Sequence, residues 1–462
     1  MQNNRRKNSS VRAGMFLLET LTSGMYNEPL SFYREYIQNA VDSMDLLRVS
    51  NKRSALRVNI DLNPIKHSIR VFDNGLGVPA GIAERILSTI GSSEKTGRSL
   101  RGFRGIGRLG GIAFSEKAIY RTKAKGEKVE SIQEWNCGEL RRMLIDPRYS
   151  SMTLNRVFNR ITTFYQRNCK RASGSYFEVT LEGVSSFRNY NLDIERVGNY
   201  LSQVAPVAFH PDEFSHGRKI DDYLSSKLSH YGRYDIILNG RPVYKPYRDR
   251  VRITKGSPDY IDNIKVFDIK VKDESVGYGW YGERRNLYGA IAKGESCSGI
   301  RIRIGNILLG DCHLLDGCFR EPRFNSYVIG EIHVECPKLV PNSRRDDFVD
   351  NEMKTLFYNA LEREIGLPIS KEIRLRSRLK SKAMEDPSEG ENRESEPPLE
   401  CAQKESGAHD IRQWRDISES TLANKILGEL VGTCEGCSKL SSVLSKIDGL
   451  VKSHSAILSS NP

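Results

Sequence analysis

The chain has 462 residues, of which 38% are hydrophobic, and it carries a formal net charge of +13 at pH 7. This size and composition predict a soluble globular protein of two or three domains. The sequence has no run of eighteen apolar residues and no secretory signal, which argues against a membrane protein. Its nine cysteines are scattered, which argues against a disulfide scaffold. We therefore expect a cytoplasmic protein without membrane partners, whose excess of Lys and Arg favours acidic ligands, including nucleotides or nucleic acid.

Residues 1–186 carry the pattern of a mixed α+β domain. A helical pattern runs from Phe16 to Val49 and is interrupted by Asn-Glu-Pro at residues 27–29. Two strand patterns follow, ALRVNIDL and SIRVFDNG, separated by the turn signal Asn63-Pro64. A helix is predicted for AGIAERILSTIG, and strands are predicted for KAIYRTKAK and SYFEVTLEGV. Helices and strands are segregated rather than strictly alternating, which is typical of an α+β fold.

Residues 187–366 repeat this mixed pattern and predict a second domain. It begins with a helical DIERVGNYLSQVAPVAF, continues through strand patterns such as YDIILNGRPVYK and GIRIRIGNILLG, and ends with a helical DNEMKTLFYNALEREIG. Residues 367–410 are rich in charged residues, Ser and Pro, which predicts a disordered linker. Apolar residues recur at helical intervals in residues 411–462, so a short helical tail is predicted there.

A polar stripe in the first domain predicts a binding site. Glu35, Asn39 and Asp42 are spaced by four and three residues, which places them on one face of a helix. Asn39 offers an amide oxygen that suits the octahedral shell of magnesium, and Glu35 is placed to orient or deprotonate a water that attacks a terminal phosphate. Asp42 shares this face and is included among the expected nucleotide contacts.

A second segment, DNGLGVP, follows the strand SIRVF and supplies complementary chemistry. Asp73 can accept a hydrogen bond from an exocyclic amine while it stays ionised, as recognition of adenine requires. Gly75 and Gly77 remove side chains where the backbone must turn sharply beside a flat ring. The pattern Asp-x-Gly-x-Gly at a strand end therefore predicts a site for a nucleobase.

A third segment, GFRGIG, is rich in glycine and predicts a phosphate loop. Glycines leave backbone N–H groups free to face anionic oxygens, and a helix that begins after them adds the positive end of its dipole. Taken alone, the pattern is also typical of a mobile loop. With the polar stripe and the Asp-x-Gly-x-Gly pattern it predicts a phosphate cradle formed by Gly102, Phe103, Arg104, Gly105, Ile106 and Gly107.

Together, REYIQNAVDS, DNGLGVP and GFRGIG resemble the nucleotide-binding boxes shared by gyrase B subunits, ninety-kilodalton heat-shock chaperones, histidine kinases and mismatch-repair ATPases. The resemblance implies a Bergerat-type ATP-binding α/β sandwich with a flexible lid. It implies that Glu35 is the general base, Asn39 the magnesium ligand and Asp73 the adenine-binding carboxylate. Residues 91–101 would be the lid, with Lys95 as a phosphate contact, and Ser175 would replace the threonine of a further box.

The second domain resembles the α/β middle domain of the chaperone branch. The segments LSQVAPVAF, ILNGRPVYKPY, GIRIRIGNILLG and RFNSYVIGEIHVECPKLVPNSRRDDF occur in the order of that domain. The resemblance implies that Arg345, with Arg344 as the alternative, contacts the γ-phosphate. The residues NSRRDD alone also fit a solvated loop with salt bridges.

The chain also departs from the chaperone pattern. The lid is shorter than in the chaperones, and GFRG resembles the phosphate loop of the mismatch-repair branch. No counterpart of the chaperones' large dimerisation domain follows residue 366.

Two main functions remain open from the sequence. The first is an ATP-dependent conformational switch of the heat-shock-chaperone type, which binds magnesium and ATP, dimerises and acts on an unknown client or partner. The second is a nucleic-acid-associated clamp ATPase of a defence or repair complex, which the basic run from Lys371 to Lys382 favours. A nucleotide-sensing interaction subunit is a third possibility. The pair Cys434 and Cys437 is by itself a weak indication of zinc.

Overall fold

The computed structural model describes residues 29–50, 56–91, 107–169, 174–185 and 190–385, all of which belong to one compact unit. These residues form a mixed α+β structure, which confirms the predicted class, whereas the narrower Bergerat-type assignment stays a prediction. Within the described ranges, no helix has both the length and the apolar character needed to cross a membrane. The predicted tail, residues 411–462, lies outside the described residues.

The described residues of the N-terminal part form four α-helices and six strands. The helices are α1 (Ser31–Ser50), α2 (Ala80–Ser88), α3 (Cys137–Ile145) and α4 (Leu154–Ile161), with a 3-10 helix at Gly107–Phe114. The strands are β1 (Arg57–Asn63), β2 (Ser68–Asp73), β3 (Lys117–Lys123), β4 (Val129–Asn136), β5 (Thr162–Asn168) and β6 (Tyr176–Glu182). Helix α3 begins where the Asn136 side chain accepts a hydrogen bond from the N–H of Glu139 at 2.9 Å, an N-cap that satisfies one otherwise unpaired donor.

Eight strands of the described residues form the first sheet, in the order β5-β4-β3-β6-β2-β1-β7-β8. Its last two strands, β7 (Asp235–Leu238) and β8 (Arg241–Pro242), come from beyond residue 186, where the sequence places the domain boundary. The turn between them is Asn239-Gly240, and both residues have positive φ, as a tight hairpin requires. The Asn239 side chain also bonds the backbone N–H and C=O of Leu62 at 2.7 and 3.1 Å, which fixes the hairpin against β1.

Helix α1 packs into the core of this first part. Its apolar residues recur every three or four positions and are buried, among them Phe32, Tyr36, Val41 and Met44. The same core includes β1 and β2 residues such as Val58. Burial of this stripe fixes the rotation of α1 about its axis, and therefore determines which of its polar residues remain accessible.

The C-terminal part is built on a second sheet, with the strand order β13-β12-β14-β11-β10-β9. Its strands are β9 (Arg250–Val251), β10 (Asp259–Val271), β11 (Glu274–Arg284), β12 (Gly299–Ile304), β13 (Ile307–Leu309) and β14 (Ile329–Val334). The helices are α5 (Ile194–Val204), α6 (Gly217–Lys227), α7 (Glu352–Leu361) and α8 (Leu367–Glu385), with a 3-10 helix at Pro322–Tyr327. Strand β12 pairs in parallel with β14, and the other pairs in this sheet are antiparallel.

The end of the second part differs from the sequence prediction. Helix α7 passes through one π-helical turn, Glu362–Gly366, directly into α8. Ile369 and Ile373 of α8 are buried in the core of the second part, so the predicted linker cannot begin at residue 367. The sequence prediction gave weight to the many charged residues of this segment and not to Ile369 and Ile373, which are four positions apart. Packing of these two side chains against the core stabilises the helix.

Candidate functional site

Three partly exposed polar residues of α1 form one stripe. Glu35, Asn39 and Ser43 are each half-buried, and their spacing of four residues places them one above another. Asp42, which the sequence assigns to the same site, is fully buried instead, and its role in nucleotide binding stays a prediction. Ser43 was missed by the sequence analysis, although its spacing from Asn39 is the same as that of Asn39 from Glu35.

Asp73 ends β2 and begins a loop that packs against α1. Its Oδ1 atom accepts a hydrogen bond from the N–H of Gly75 at 2.9 Å. The hydroxyl of Ser43 accepts a hydrogen bond from the N–H of Leu76 at 2.9 Å. A Cβ atom at Gly75 would lie 2.5 Å from the Ser43 oxygen, so only glycine allows this close approach of the loop to the helix.

The other side of this loop contacts β3 and β6. Gly77 has a φ of +67°, and a Cβ atom there would collide with the carbonyl oxygen of Lys123. The hydroxyl of Ser175 donates a hydrogen bond to the carbonyl of Gly75 at 2.6 Å. The structure therefore brings Ser175 to the loop that contains Asp73, Gly75 and Gly77, although Ser175 is 100 residues from Gly75 in the sequence.

Thr122 and Lys123, which the sequence analysis did not identify, bind this loop and the adjacent backbone between Gly174 and Tyr176. Thr122 accepts a hydrogen bond from the N–H of Val78 at 2.8 Å and donates one to the carbonyl of Tyr176 at 3.0 Å. Lys123 is 1% exposed, and its ammonium group donates to the carbonyl of Gly174 at 2.7 Å. A buried ammonium satisfied by carbonyl groups leaves no motif in the sequence, so Lys123 had no signal by which it could have been found.

The 3-10 helix at Gly107–Phe114 lies against the first half of α1. A Cβ atom at Gly107 would be 2.5 Å from Oε2 of Glu35, so this glycine leaves the space that the carboxylate occupies. One residue further along α1, the hydroxyl of Tyr36 accepts a hydrogen bond from the N–H of Gly111 at 3.1 Å. Of the predicted phosphate loop only Gly107 is described; Gly102, Phe103, Arg104, Gly105, Ile106 and the predicted lid residue Lys95 lie outside the described residues.

The guanidinium of Arg345 reaches Glu35 from the second part of the chain. Its Nε atom lies 3.3 Å from Oε1 of Glu35, and the two side chains are only 11% and 13% exposed. Arg34 also approaches this carboxylate, with its Nε at 3.6 Å, and it donates a hydrogen bond to the carbonyl of Arg344 at 3.1 Å. The side chain of Arg344 is 60% exposed and lies 3.9 Å from Asp346, so Arg345 is the arginine that the structure brings to the site.

The backbone of the Arg345 loop is held in an uncommon conformation. Arg345 has a φ of +58°, in the left-handed region that side chains other than glycine rarely adopt. Its carbonyl accepts a hydrogen bond from the N–H of Gly310 at 2.9 Å, and its own N–H donates to Asn342 at 3.2 Å. These bonds connect the loop to the end of β13, so the second sheet positions Arg345.

The residue types present fit a nucleotide with a magnesium ion. Asn39 is half-buried between the Glu35 end and the Ser43 end of the stripe, and a single amide ligand is sufficient for a magnesium ion that keeps waters and phosphate oxygens. The described residues contain no group of three His, Cys, Asp or Glu side chains that could hold a metal. Cys434 and Cys437 lie outside the described residues.

A second cluster of ionisable side chains surrounds Glu331 on β14. Its carboxylate lies 2.9 Å from the ammonium of Lys245 and 2.5 Å from the guanidinium of Arg303, and all three side chains are fully buried. Burial alone raises the pKa of Glu331, but Arg303 and Lys245 outweigh this effect and hold the pKa well below its ordinary value. Burial, reinforced by the neighbouring Arg303, lowers the pKa of Lys245 to about 7.

His333 and the backbone of α5 complete this cluster. Burial lowers the pKa of His333 to about 4, although its ring nitrogen lies 3.3 Å from the carboxylate of Glu331. Arg303 donates a hydrogen bond to the carbonyl of Gln203 at 2.7 Å. The cluster therefore connects α5, which packs in the core of the first part, to the second sheet, and we assign it to the joint between the two parts rather than to catalysis.

Comparison with known proteins gives a partial match. No protein-family model matches the chain. Over 139 residues the chain is 28% identical to the chaperone protein HtpG of Escherichia coli strain K12, and the figures are the same for HtpG of strains O157:H7 and O6:H1. The match covers 26% of this chain and 22% of HtpG, so the chain spans less than a quarter of the length of these curated relatives. This similarity indicates a distant relationship to the HtpG chaperones over about a quarter of the chain.

Proposed function

We propose that this chain is a magnesium-dependent ATPase that works as a conformational switch of the heat-shock-chaperone type. The observation that supports this proposal most strongly is the meeting of Glu35, Gly107 and Arg345 at one end of the α1 stripe. The other end of the stripe, at Ser43, holds the Asp73 loop. The partial similarity to HtpG supports the chaperone-like part of the proposal.

The Ser43 end of the stripe has the properties of a nucleobase site. Asp73 is 5% exposed, and the N–H of Gly75 donates a hydrogen bond to its Oδ1 atom, which holds the carboxylate at the end of β2. A carboxylate held in this way can accept a hydrogen bond from the exocyclic amine of adenine. Gly75, Gly77 and Ser175 keep the surrounding loop close to the two strands and the helix, which would hold that carboxylate in a fixed position.

The Glu35 end of the stripe has the properties of a hydrolytic site. It lies eight residues from Ser43, which corresponds to about 12 Å along the helix axis. Glu35 would orient a water molecule and accept its proton, and Arg345 would neutralise charge on the terminal phosphate. A magnesium ion held by Asn39 would supply charge neutralisation at the phosphate oxygens.

The contact between Arg345 and Glu35 would couple nucleotide binding to a change of conformation. Phosphate oxygens bind guanidinium groups by charge-assisted hydrogen bonds, so a terminal phosphate would compete with Glu35 for Arg345. Because the loop that carries Arg345 is bonded to the end of β13 in the second sheet, transfer of Arg345 from Glu35 to the phosphate would move the two parts of the chain relative to each other. ATP would thereby shift the conformational equilibrium through its different affinities for the two states, and we propose that the ATP-bound state forms homodimers and acts on a protein client.

The proposal is tested by hydrolysis and binding assays on two variants. We expect Glu35→Ala to bind ATP with nearly unchanged affinity and to lose about 10²- to 10⁴-fold in the magnesium-dependent rate of phosphate release, because the general base is missing. We expect Asp73→Asn to lose ATP binding in calorimetry, because the amide presents a donor to the adenine amine. Sedimentation of Glu35→Ala with ATP and magnesium then tests dimerisation.

Matched controls separate these effects from general damage. Glu84→Ala removes an exposed carboxylate on α2, and Asp61→Asn makes the same exchange as Asp73→Asn on the neighbouring strand β1. Both controls should retain the wild-type rate and affinity. Hydrolysis by Glu35→Ala at the rate of Glu84→Ala would show that Glu35 is not the base, and unaltered ATP affinity of Asp73→Asn would remove the proposed nucleobase site.

A further inference from the structure

A cavity separate from the α1 stripe lies beside α8. It has a volume of about 310 Å³ and is formed by α8, the 3-10 helix at Pro322–Tyr327 and the loop that follows β11. Three cationic side chains line it, those of Arg323, Arg374 and Lys380, together with the rings of Tyr288 and Tyr327. The volume lies at the lower end of the range of small-molecule sites, so it admits a group of about the size of one nucleotide unit.

The charge of this cavity favours an anion. Glu321 is the one carboxylate among the residues that line it, and it binds both Arg374 at 2.8 Å and Arg323 at 2.7 Å. Lys380 is exposed, and in the part of the chain that the structure describes no acidic side chain pairs with it. Its ammonium instead lies 4.7 Å from the centre of the Tyr288 ring. The cavity thus has a net charge of about +2, with its cations adjacent to aromatic rings.

Cations next to half-buried rings suit a ligand that is both anionic and planar. Tyr288 and Tyr327 are each half-buried, so part of each ring still faces the cavity. A nucleobase can stack on a tyrosine ring or a guanidinium plane while its phosphate binds a neighbouring Lys or Arg. Acidic peptides offer the anion without the planar group, so a nucleotide unit matches the cavity better.

The positive charge continues along α8 beyond the cavity. Arg378 and Lys382 are both exposed on this helix, and Arg374 and Lys382 are separated by eight residues, or about 12 Å along the axis. A single nucleotide in the cavity would leave these outer cations unused. We propose that the cavity and α8 together bind single-stranded nucleic acid, with one nucleotide unit in the cavity and the flanking phosphates along the helix. This site is separate from the proposed ATPase site and does not depend on it.

The test measures binding of a fluorescein-labelled (dT)20 oligonucleotide by fluorescence anisotropy, with the full chain and without ATP or magnesium. We expect Lys380→Glu to weaken binding about ten-fold, because it reverses a charge in the cavity, and to reduce the dependence of affinity on salt. Tyr288→Ala should also weaken binding about ten-fold through lost stacking. Lys66→Glu makes the same exchange as Lys380→Glu at an exposed lysine between β1 and β2 and should bind within two-fold of wild type.

Several outcomes would overturn this proposal. One is an absence of oligonucleotide binding by the wild-type chain, and another is equal binding by Lys380→Glu and Lys66→Glu. Equal competition by poly-glutamate would indicate an acidic protein partner instead. Equal competition by the mononucleotide dTMP would show that α8 beyond the cavity contributes nothing. Duplex DNA that binds as tightly as (dT)20, with no effect of Tyr288→Ala, would indicate a nonspecific basic surface. Circular dichroism of each variant verifies that it is folded.

Discussion

Gly107→Ala is the substitution that tests the proposed catalytic geometry most directly. The added Cβ atom would lie 2.5 Å from Oε2 of Glu35, whereas ordinary van der Waals contact begins at 3.4 Å. The colliding atom is the end of a flexible side chain, so the carboxylate can move away by about 0.9 Å without disruption of the backbone. The fold and the Asp73 loop at the other end of α1 should be unaffected.

A displacement of this size has a large effect on a general base. A misplacement of about 1 Å can lower the rate of a catalysed step about 10²-fold. We therefore expect Gly107→Ala to hydrolyse ATP about 10²-fold more slowly than wild type, with an affinity for ATP within about three-fold of the wild-type value. The effect should be smaller than that of Glu35→Ala, because the displaced carboxylate is still present.

The assay is magnesium-dependent phosphate release at saturating ATP, together with calorimetric measurement of ATP binding. Gly81→Ala on α2 is the matched control, because a Cβ atom at Gly81 would meet no atom within 4 Å. Wild-type hydrolysis by Gly107→Ala would refute the reasoning, since it would show that the position of the Glu35 carboxylate does not determine the rate. Equal loss of affinity and rate would place Gly107 in nucleotide binding instead.

Three further predictions follow from the structure. Arg345→Ala should lower the hydrolysis rate about 10³-fold in the same assay, whereas the exposed Arg344→Ala should retain most of it. Ser43→Ala removes the hydrogen bond to Leu76 and should weaken ATP binding about five-fold in calorimetry, with the rate at saturation unchanged. The folded protein binds a proton at His333 only near pH 4, whereas unfolded histidine does so near 6.5, so this residue destabilises the fold as pH falls from 6.5 to 4. Between pH 7 and pH 5 the free energy of unfolding, measured by urea denaturation, should fall by about 2 kcal/mol more for wild type than for His333→Gln. Equal decreases would contradict the lowered pKa of His333.

Elements with a regular pattern were predictable from the sequence. The apolar period of REYIQNAVDS and its neighbours agrees with α1 over residues 31–50, and the alternating strands predicted around residues 55–75 agree with β1 and β2. Other elements had no clear pattern. Strand β11 contains Gly279, where a Cβ atom would lie 2.5 Å from the Phe267 ring of the adjacent strand β10. The ring of Phe267 therefore occupies the space that a side chain at position 279 would need. That compensation is invisible in either strand alone.

The sequence by itself predicted the chemistry that we propose for this chain. The order and spacing of Glu35, Asn39 and Asp73, each beside residues of a regular element, predicted a nucleotide site because local spacing sets the direction of side chains. Only the tertiary structure decided which residues meet. It placed Ser43 rather than Asp42 on the accessible stripe, and it brought Arg345 rather than Arg344 to Glu35 over about three hundred residues of chain. The burial of one face of α1 sets the rotation of this helix, and the second sheet sets the position of the loop that carries Arg345. Neither can be deduced from the spacing of residues along the chain.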